Sequence, residues 1–408
     1  MLVDFKVKNY RSFKNEQEFS METGKRLRKY QKSNTISVMG ERMLKSALLF
    51  GANANGKTNL IKALLMLKSL VMVPTKNALQ PLNTDTFGYN QEATRFEITF
   101  IKHSNKYTYF LTYDKEHVLQ EKLLVNGVAI FERNEQHFDL MPSQLVPLKD
   151  NIRKNQLLLY FAQQNNEKNS KEAFEWFSED LVYVDTDRIR NDRFKLLENE
   201  DFKKRFLNFL KAADFNIVDV EVREKKEEIP DLGYLFKQLN DNGDGDIDDA
   251  RTVQNVSYEV YSTHKAEHGH FSVYFGNEST GTKVFMFLAL YILNNTNKTL
   301  LIDEFDRSYH LELAKALLKL INHEKQTNQF VLTTHELSLM DTNLRQDQIW
   351  FAEKNRFGET ELFSVFDFDD VGLKRSDFNY KKRYLEGRYG ATQMVNTDLL
   401  LEVLDSNE

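Results

Sequence analysis

The chain has 408 residues, 41% of them hydrophobic and 28% charged, with no cysteine and a net charge of -6. That length allows two lobes with sizeable cores, and the missing thiols exclude disulfides, thiolate catalysis and Cys-ligated zinc. The net charge excludes a wholly basic surface but leaves room for a local basic channel, while the lack of a bilayer-spanning apolar run or a signal-peptide core in MLVDFKVKNYRSF makes the cytoplasm the expected location.

In chain order, LVDFKVKNYRSF alternates as a strand does, and the polar segment from Thr23 to Lys45, with Lys25, Arg26, Arg28 and Lys29, reads as a solvated loop. SALLFGANANGKT is a buried strand entering a glycine-bounded loop, and NLIKALLMLKSLVMV has helical period up to Pro74. FEITFI, YTYFLTY and KLLVNGVAIFER read as a meander, with Asn126-Gly127 as a hairpin turn. From about Asn151 to Lys225 the pattern turns helical, with KEAFEWFSEDL and DFKKRFLNFLKAADF as amphipathic helices of an inserted lobe. EKKEE at 224–228 and the following NDNGDGDIDDAR read as an acidic break. Strands return at VSYEVYST and HFSVYFG, followed by the helix KVFMFLALYILNN, TLLIDEFD, the helix LELAKALLKLINHEK, QFVLTTHE, and a strand pair near QIWFAEK and ELFSVFDF.

GANANGKT matches G-x-x-x-x-G-K-[ST] and lies between a strand and a helix. Such a loop presents backbone N–H groups and a helix N-terminus to phosphate oxygens, with Lys57 to bridge the phosphates and Thr58 to take Mg²⁺. This points to a nucleoside triphosphate. In TLLIDEFD a buried strand ends in two acids, placing Asp303 to hold Mg²⁺ or its water and Glu304 to polarise an attacking water. His335, at the end of QFVLTTHE, can contact a γ-phosphate. Glu278 to Thr282 cap the next apolar helix, either as a plain N-cap or as a second anion site for a nucleotide shared between two chains.

Other signals are weaker. An EF-hand reading of NDNGDGDIDDAR would put Arg251 where a bidentate Glu is needed, so an acidic loop is preferred to Ca²⁺. His264, His268 and His270 have no accompanying acid cluster. FNYKKRYLEGRYG either grips a strand or partner or packs its tyrosines inward, and Arg188, Arg190 and Arg193 either face a phosphate or pair with neighbouring aspartates.

The set GANANGKT, ESTGT, LLIDEFD and LTTHE, in that order and with the opening NYRSF, resembles the ABC-type ATPase heads of the RecF, SMC and Rad50 group. More narrowly it is similar to the compact bacterial ATPases of the OLD, RloA and AbiL kind, the AAA15 group found among phage-defence genes, whose tail element YLEGRYGA also resembles. The resemblance implies an α/β P-loop NTPase of ABC-ATPase type, with a mixed central sheet, an antiparallel β meander and an inserted helical lobe. Residues 1–150 and 251–408 would form the two halves of the head, and residues 151–250 the mainly helical insertion.

It also implies ATP and Mg²⁺ as ligands. Gly51, Asn53, Asn55, Gly56, Lys57, Thr58 and Asn59 would hold the nucleotide, Thr58 and Asp303 the metal, and Gln163 or Gln164 would be the metal-side glutamine. Glu304 becomes the general base, His335 the switch histidine, Arg307 to His310 the D-loop, and Ser279 and Gly281 the signature that reaches the γ-phosphate on a partner subunit. Thr280 and Ala54 stand where glycines are usual, which implies slower turnover without loss of binding. There is no heptad arm, and the roughly 70 residues after His335 are too few for a further nuclease domain.

The expected protein is a Mg-ATP switch that closes as a homodimer or higher homo-oligomer. It would control a separately encoded effector, or DNA or RNA, in anti-phage defence, with no membrane partner. A RecF-like DNA-repair ATPase is the nearest alternative. A transporter subunit is disfavoured by the long stretch between Lys57 and Ser279, and a GTPase by the absence of N-K-x-D.

Overall fold

The computed structural model describes residues 1–230, 252–368 and 379–390. The chain divides into two compact units, Met1–Val184 with Thr296–Glu408, and Asp185–Asn295.

In the first unit β1 (Leu2–Lys8) and β2 (Gln17–Ser20) precede a small hairpin, β3 (Thr35–Val38) and β4 (Glu41–Leu44), and then β5 (Ser46–Phe50). The meander follows as β6 (Thr94–Lys102), β7 (Asn105–Tyr113), β8 (Val118–Val125), β9 (Val128–Asn134) and β10 (His137–Leu140), and then β11 (Leu181–Tyr183). The second unit carries β12 (Ile217–Pro230), β13 (Thr252–Ala266) and β14 (Gly269–Tyr274); the chain then returns through β15 (Thr299–Ile302), β16 (Gln329–Thr333), β17 (Ile349–Lys354) and β18 (Thr360–Ser364).

Besides the β3–β4 hairpin, the described residues of the first unit form two larger sheets. One is antiparallel, in the order β10-β9-β8-β7-β6-β1-β2; the other runs β11-β15-β16-β5-β17-β18, parallel except for β18. Every residue of β5, β15 and β16 is buried, which is why these strands read as unbroken apolar runs rather than alternating ones. The helix Lys57–Met72 puts Leu60, Leu64 and Leu67 into one core with Phe5 and Phe96 of the antiparallel sheet and Leu301 and Val331 of the parallel one. Each such side chain contributes about 1.5–3 kcal/mol by leaving water, so the helix after the loop is clamped from both sides. This is the fold of a P-loop NTPase with a mixed central sheet and an antiparallel meander.

The Asn126-Gly127 turn has positive φ at both residues, as a tight hairpin needs. Four expectations are corrected. The insertion is residues 185–295 rather than 151–250, because residues 158–184 send Leu158, Leu159, Trp176 and Phe177 into the core of the first unit. Nor is the insertion mainly helical: β12, β13 and β14 form an antiparallel sheet beside the helices Glu200–Ala212 and Thr280–Asn294. EKKEE is not a break but part of β12, where exposed pairs such as Lys225–Glu227 at 2.7 Å and Lys226–Glu224 at 3.1 Å join residues two apart on one face of the strand. NDNGDGDIDDAR and the last residue of YLEGRYGA lie outside the described residues.

The segment from Thr23 to Lys45 is pinned rather than loose. Arg345, buried and paired with Asp347 at 2.7 Å, donates to the carbonyls of Leu27 and Lys29. Tyr384 and Tyr389 stack on Phe351 at 5.3 and 5.1 Å, so the tail tyrosines pack inward.

Candidate nucleotide-binding site

β5 enters the loop of residues 51–56 between its parallel neighbours β16 and β17. Gly51 has φ +145, and a Cβ there would lie 2.5 Å from the Ala352 carbonyl oxygen. Gly56 has φ +96, and a Cβ would meet Thr360 Oγ1 at 2.5 Å and Ser12 Oγ at 2.8 Å. Only glycine suits either position. Side chains tie the loop from outside: Asn55 Nδ2 donates to Ala352 O at 3.2 Å, Thr360 Oγ1 to Asn55 O at 3.0 Å, and Asn59 Nδ2 to Ser12 Oγ at 2.7 Å. Asn53 is exposed at the tip. The helix Lys57–Met72 starts from Gly56 with no side-chain cap, leaving first-turn N–H groups to face an anion.

Lys57 is only 5% exposed. Its Nζ donates to Gly51 O at 2.8 Å and Ala52 O at 3.0 Å and lies 3.4 Å from His335 Nδ1. Burial draws its pKa from 10.5 down to about 8, against the opposing pull of Asp303, Glu304 and Asp306. The ammonium is thus held at the loop with carbonyl dipoles in place of a full counter-charge, a position suited to phosphate.

Thr58 Oγ1 donates to Asp303 Oδ1 at 3.1 Å, bringing the helix start and the end of β15 together. The same carboxylate oxygen accepts from Thr333 Oγ1, at the end of β16. Glu304 has φ +48, and its carboxylate lies 3.5 Å from His335 Nε2 and 3.6 Å from Arg307 Nη1. His335 therefore stands between Lys57 and Glu304, one ring nitrogen facing each. The oxygen donors of Thr58 and Asp303 fit a hard divalent cation such as Mg²⁺, and the tight glycine loop fits phosphate.

Not every expected residue joins this cluster. Gln163 and Gln164 end the helix Leu158–Gln164; Gln164 Nε2 donates to Tyr160 Oη at 3.2 Å. No hydrogen bond among the described residues joins either glutamine to Thr58 or Asp303. Ser279 and Gly281 belong to the second unit. There Ser279 caps the helix Thr280–Asn294, its Oγ accepting from Thr282 N at 3.0 Å, and Gly281 lies in the first turn. His264 is 2.7 Å from Glu278 and stacks on Phe271; among the described residues no group of three or more His, Asp or Glu is arranged to hold a metal by itself. Sequence reasoning missed Ser12, Thr360 and Thr333. Ser12 reaches Asn59 across 47 positions and Thr360 reaches Asn55 across 305, so no local pattern marks them, whereas Thr333 was visible as a hydroxyl at the strand end in LTTHE.

The loop, the acids at the end of β15 and the sheet order define a P-loop NTPase. Its particular family is the one whose model, described as "AAA domain, putative AbiEii toxin, Type IV TA system", matches residues 46–341, and the chain belongs to it. No curated protein matches the sequence. Similar solved structures include an SMC head domain from Thermotoga maritima, 13% identical with a TM-score of 0.40 over 89% of this chain and 98% of that one. An SMC head bound to the C-winged helix domain of ScpA is 11% identical, with a TM-score of 0.45 over 89% and 97%. An Smc head with an extended coiled coil, bound to the C-terminal domain of ScpA derived from Pyrococcus furiosus, is 12% identical, with a TM-score of 0.43 over 89% and 96%.

Proposed function

We propose that this chain binds ATP with Mg²⁺ and hydrolyses it slowly, as a cytoplasmic molecular switch. The observation that carries the reading is the Thr58–Asp303 hydrogen bond, with Lys57, His335 and Glu304 gathered round it. Lys57 and the loop N–H groups hold the β- and γ-phosphates, and Thr58 and Asp303 hold Mg²⁺, which when bound neutralises charge on the transferred phosphoryl group. Glu304 takes the proton of the attacking water, and His335 orients the Glu304 carboxylate. Ser279 and Gly281 of a second copy complete the site in a head-to-head pair, whose closing and opening is read by a separately encoded effector or a nucleic acid. The AAA15 resemblance favours phage defence as its use.

The test compares Lys57→Ala and Glu304→Gln by filter binding of labelled ATP and by phosphate release. Lys57→Ala should bind weakly. Glu304→Gln should retain ATP and release phosphate roughly a hundredfold more slowly or worse; a native rate there removes the base assignment, and equal competition by GTP removes the choice of ATP.

A further inference from the structure

We infer that Thr333 is a positioning residue for both acids at the end of β15, setting Mg²⁺ affinity through Asp303 and hydrolysis through Glu304. The inference rests on the ATP and Mg²⁺ reading above.

Thr333 is fully buried and makes three bonds to one turn. Its Oγ1 donates to Asp303 Oδ1 and accepts the Glu304 N–H at 2.7 Å, and its carbonyl accepts the Phe305 N–H at 3.0 Å. A threonine hydroxyl has one proton and two lone pairs. Here the proton is committed to one acid's side chain and a lone pair to the other's backbone, so the hydroxyl direction is fixed from both ends. Glu304 holds φ +48, a left-handed conformation that a non-glycine residue keeps only when its surroundings impose it. The N–H bond to Thr333 is one such constraint.

Asp303 Oδ1 accepts from two hydroxyls, Thr333 and Thr58. Together they fix the carboxylate plane, and no described side chain hydrogen-bonds its Oδ2. If the Thr58 oxygen turns a lone pair to a metal, Thr333 still holds the acid. A β-branched residue in a buried strand has a simpler explanation, since valine fills the same volume and suits a strand equally well. Valine, however, would leave the Glu304 N–H without a partner and Asp303 with one donor fewer, where a buried polar group left unmatched is costly. Because His335 follows two residues later, the strand carrying the switch histidine also clamps the acids.

The experiment uses the full chain as wild type, Thr333→Val, Thr333→Ser and Thr333→Ala. Binding of a fluorescent ATP analogue is titrated in EDTA and in Mg²⁺, and phosphate release is followed against Mg²⁺ concentration. Thr333→Val should match wild type in EDTA, lose the Mg²⁺-dependent gain in affinity by about 10–100-fold, and need correspondingly more Mg²⁺ for turnover. Thr333→Ser should recover most of both, because the hydroxyl and not the methyl carries the role. If Thr333→Val does not fold, Thr333→Ala replaces it with the same expectation. Wild-type Mg²⁺ dependence in the variant lacking the hydroxyl overturns the inference while leaving the ATPase reading intact, as does a serine variant no better than it. Failure of the wild-type chain to bind nucleotide overturns both.

Discussion

Ala54 and Glu304 hold left-handed backbone at φ +64 and +48, one in the loop after β5 and the other in the turn after β15. Such a conformation costs about 1–2 kcal/mol in an L-residue, and it persists because neighbours fix it: Ser12 and Thr360 brace the loop, and Thr333 holds the turn. Lys57 bears a related cost in its depressed pKa of about 8. Away from the site, Asp4 on β1 shows the same economy in a form that pH exposes. Burial, with the nearby Glu18, raises its pKa from 3.8 to about 6. The folded state then binds more protons than the unfolded state between these values, so stability falls as pH rises through that window and the penalty is complete above it. Asp4→Asn should therefore stabilise the protein at pH 7 by about 1–2 kcal/mol after allowance for partial exposure, with the gain vanishing near pH 4. Urea midpoints at the two pH values check this, and an equal gain at both would contradict it.

Among elements, the meander and the helix Leu158–Gln164 are joined by one buried carboxylate. Glu121 on β8 accepts the N–H groups of Leu158 at 2.6 Å and Leu159 at 2.8 Å, accepts the Tyr109 hydroxyl at 2.9 Å, and lies 3.7 Å from Arg133 Nη1. Burial pushes its pKa up while Arg133 and the N–H donors pull it down. Removing the charge leaves Arg133 buried beside a neutral amide, so Glu121→Gln should cost about 3–5 kcal/mol. Tyr109→Phe, which removes one hydrogen bond, should cost about 1 kcal/mol. Chemical denaturation of the two variants separates them, and equal losses would mean that Glu121 acts only as an acceptor. The same level explains why EKKEE reads as a break: a polar, highly charged run resembles a loop until a partner strand pairs with its backbone, and residues 224–228 find that partner in residues 254–258 of β13.

At the scale of the whole molecule, the proposed pair predicts a change of mass. Glu304→Gln should double in molar mass by light scattering in Mg²⁺-ATP and not in Mg²⁺-ADP; a constant monomer would remove the shared-nucleotide mechanism while leaving the loop as a nucleotide site. Sequence alone determined the phosphate loop, the acids after β15, the meander and the buried parallel strands, because each rests on local spacing, glycine geometry or a short apolar run. The tertiary structure decided where the insertion begins and ends, since only packing shows that Trp176 and Phe177 belong to the first core. It also decided which side chains brace the site: Ser12, Thr360 and Thr333 act through hydrogen bonds whose partners are neighbours only after the sheets assemble, and a hydroxyl carries no local signal of the partner it will meet.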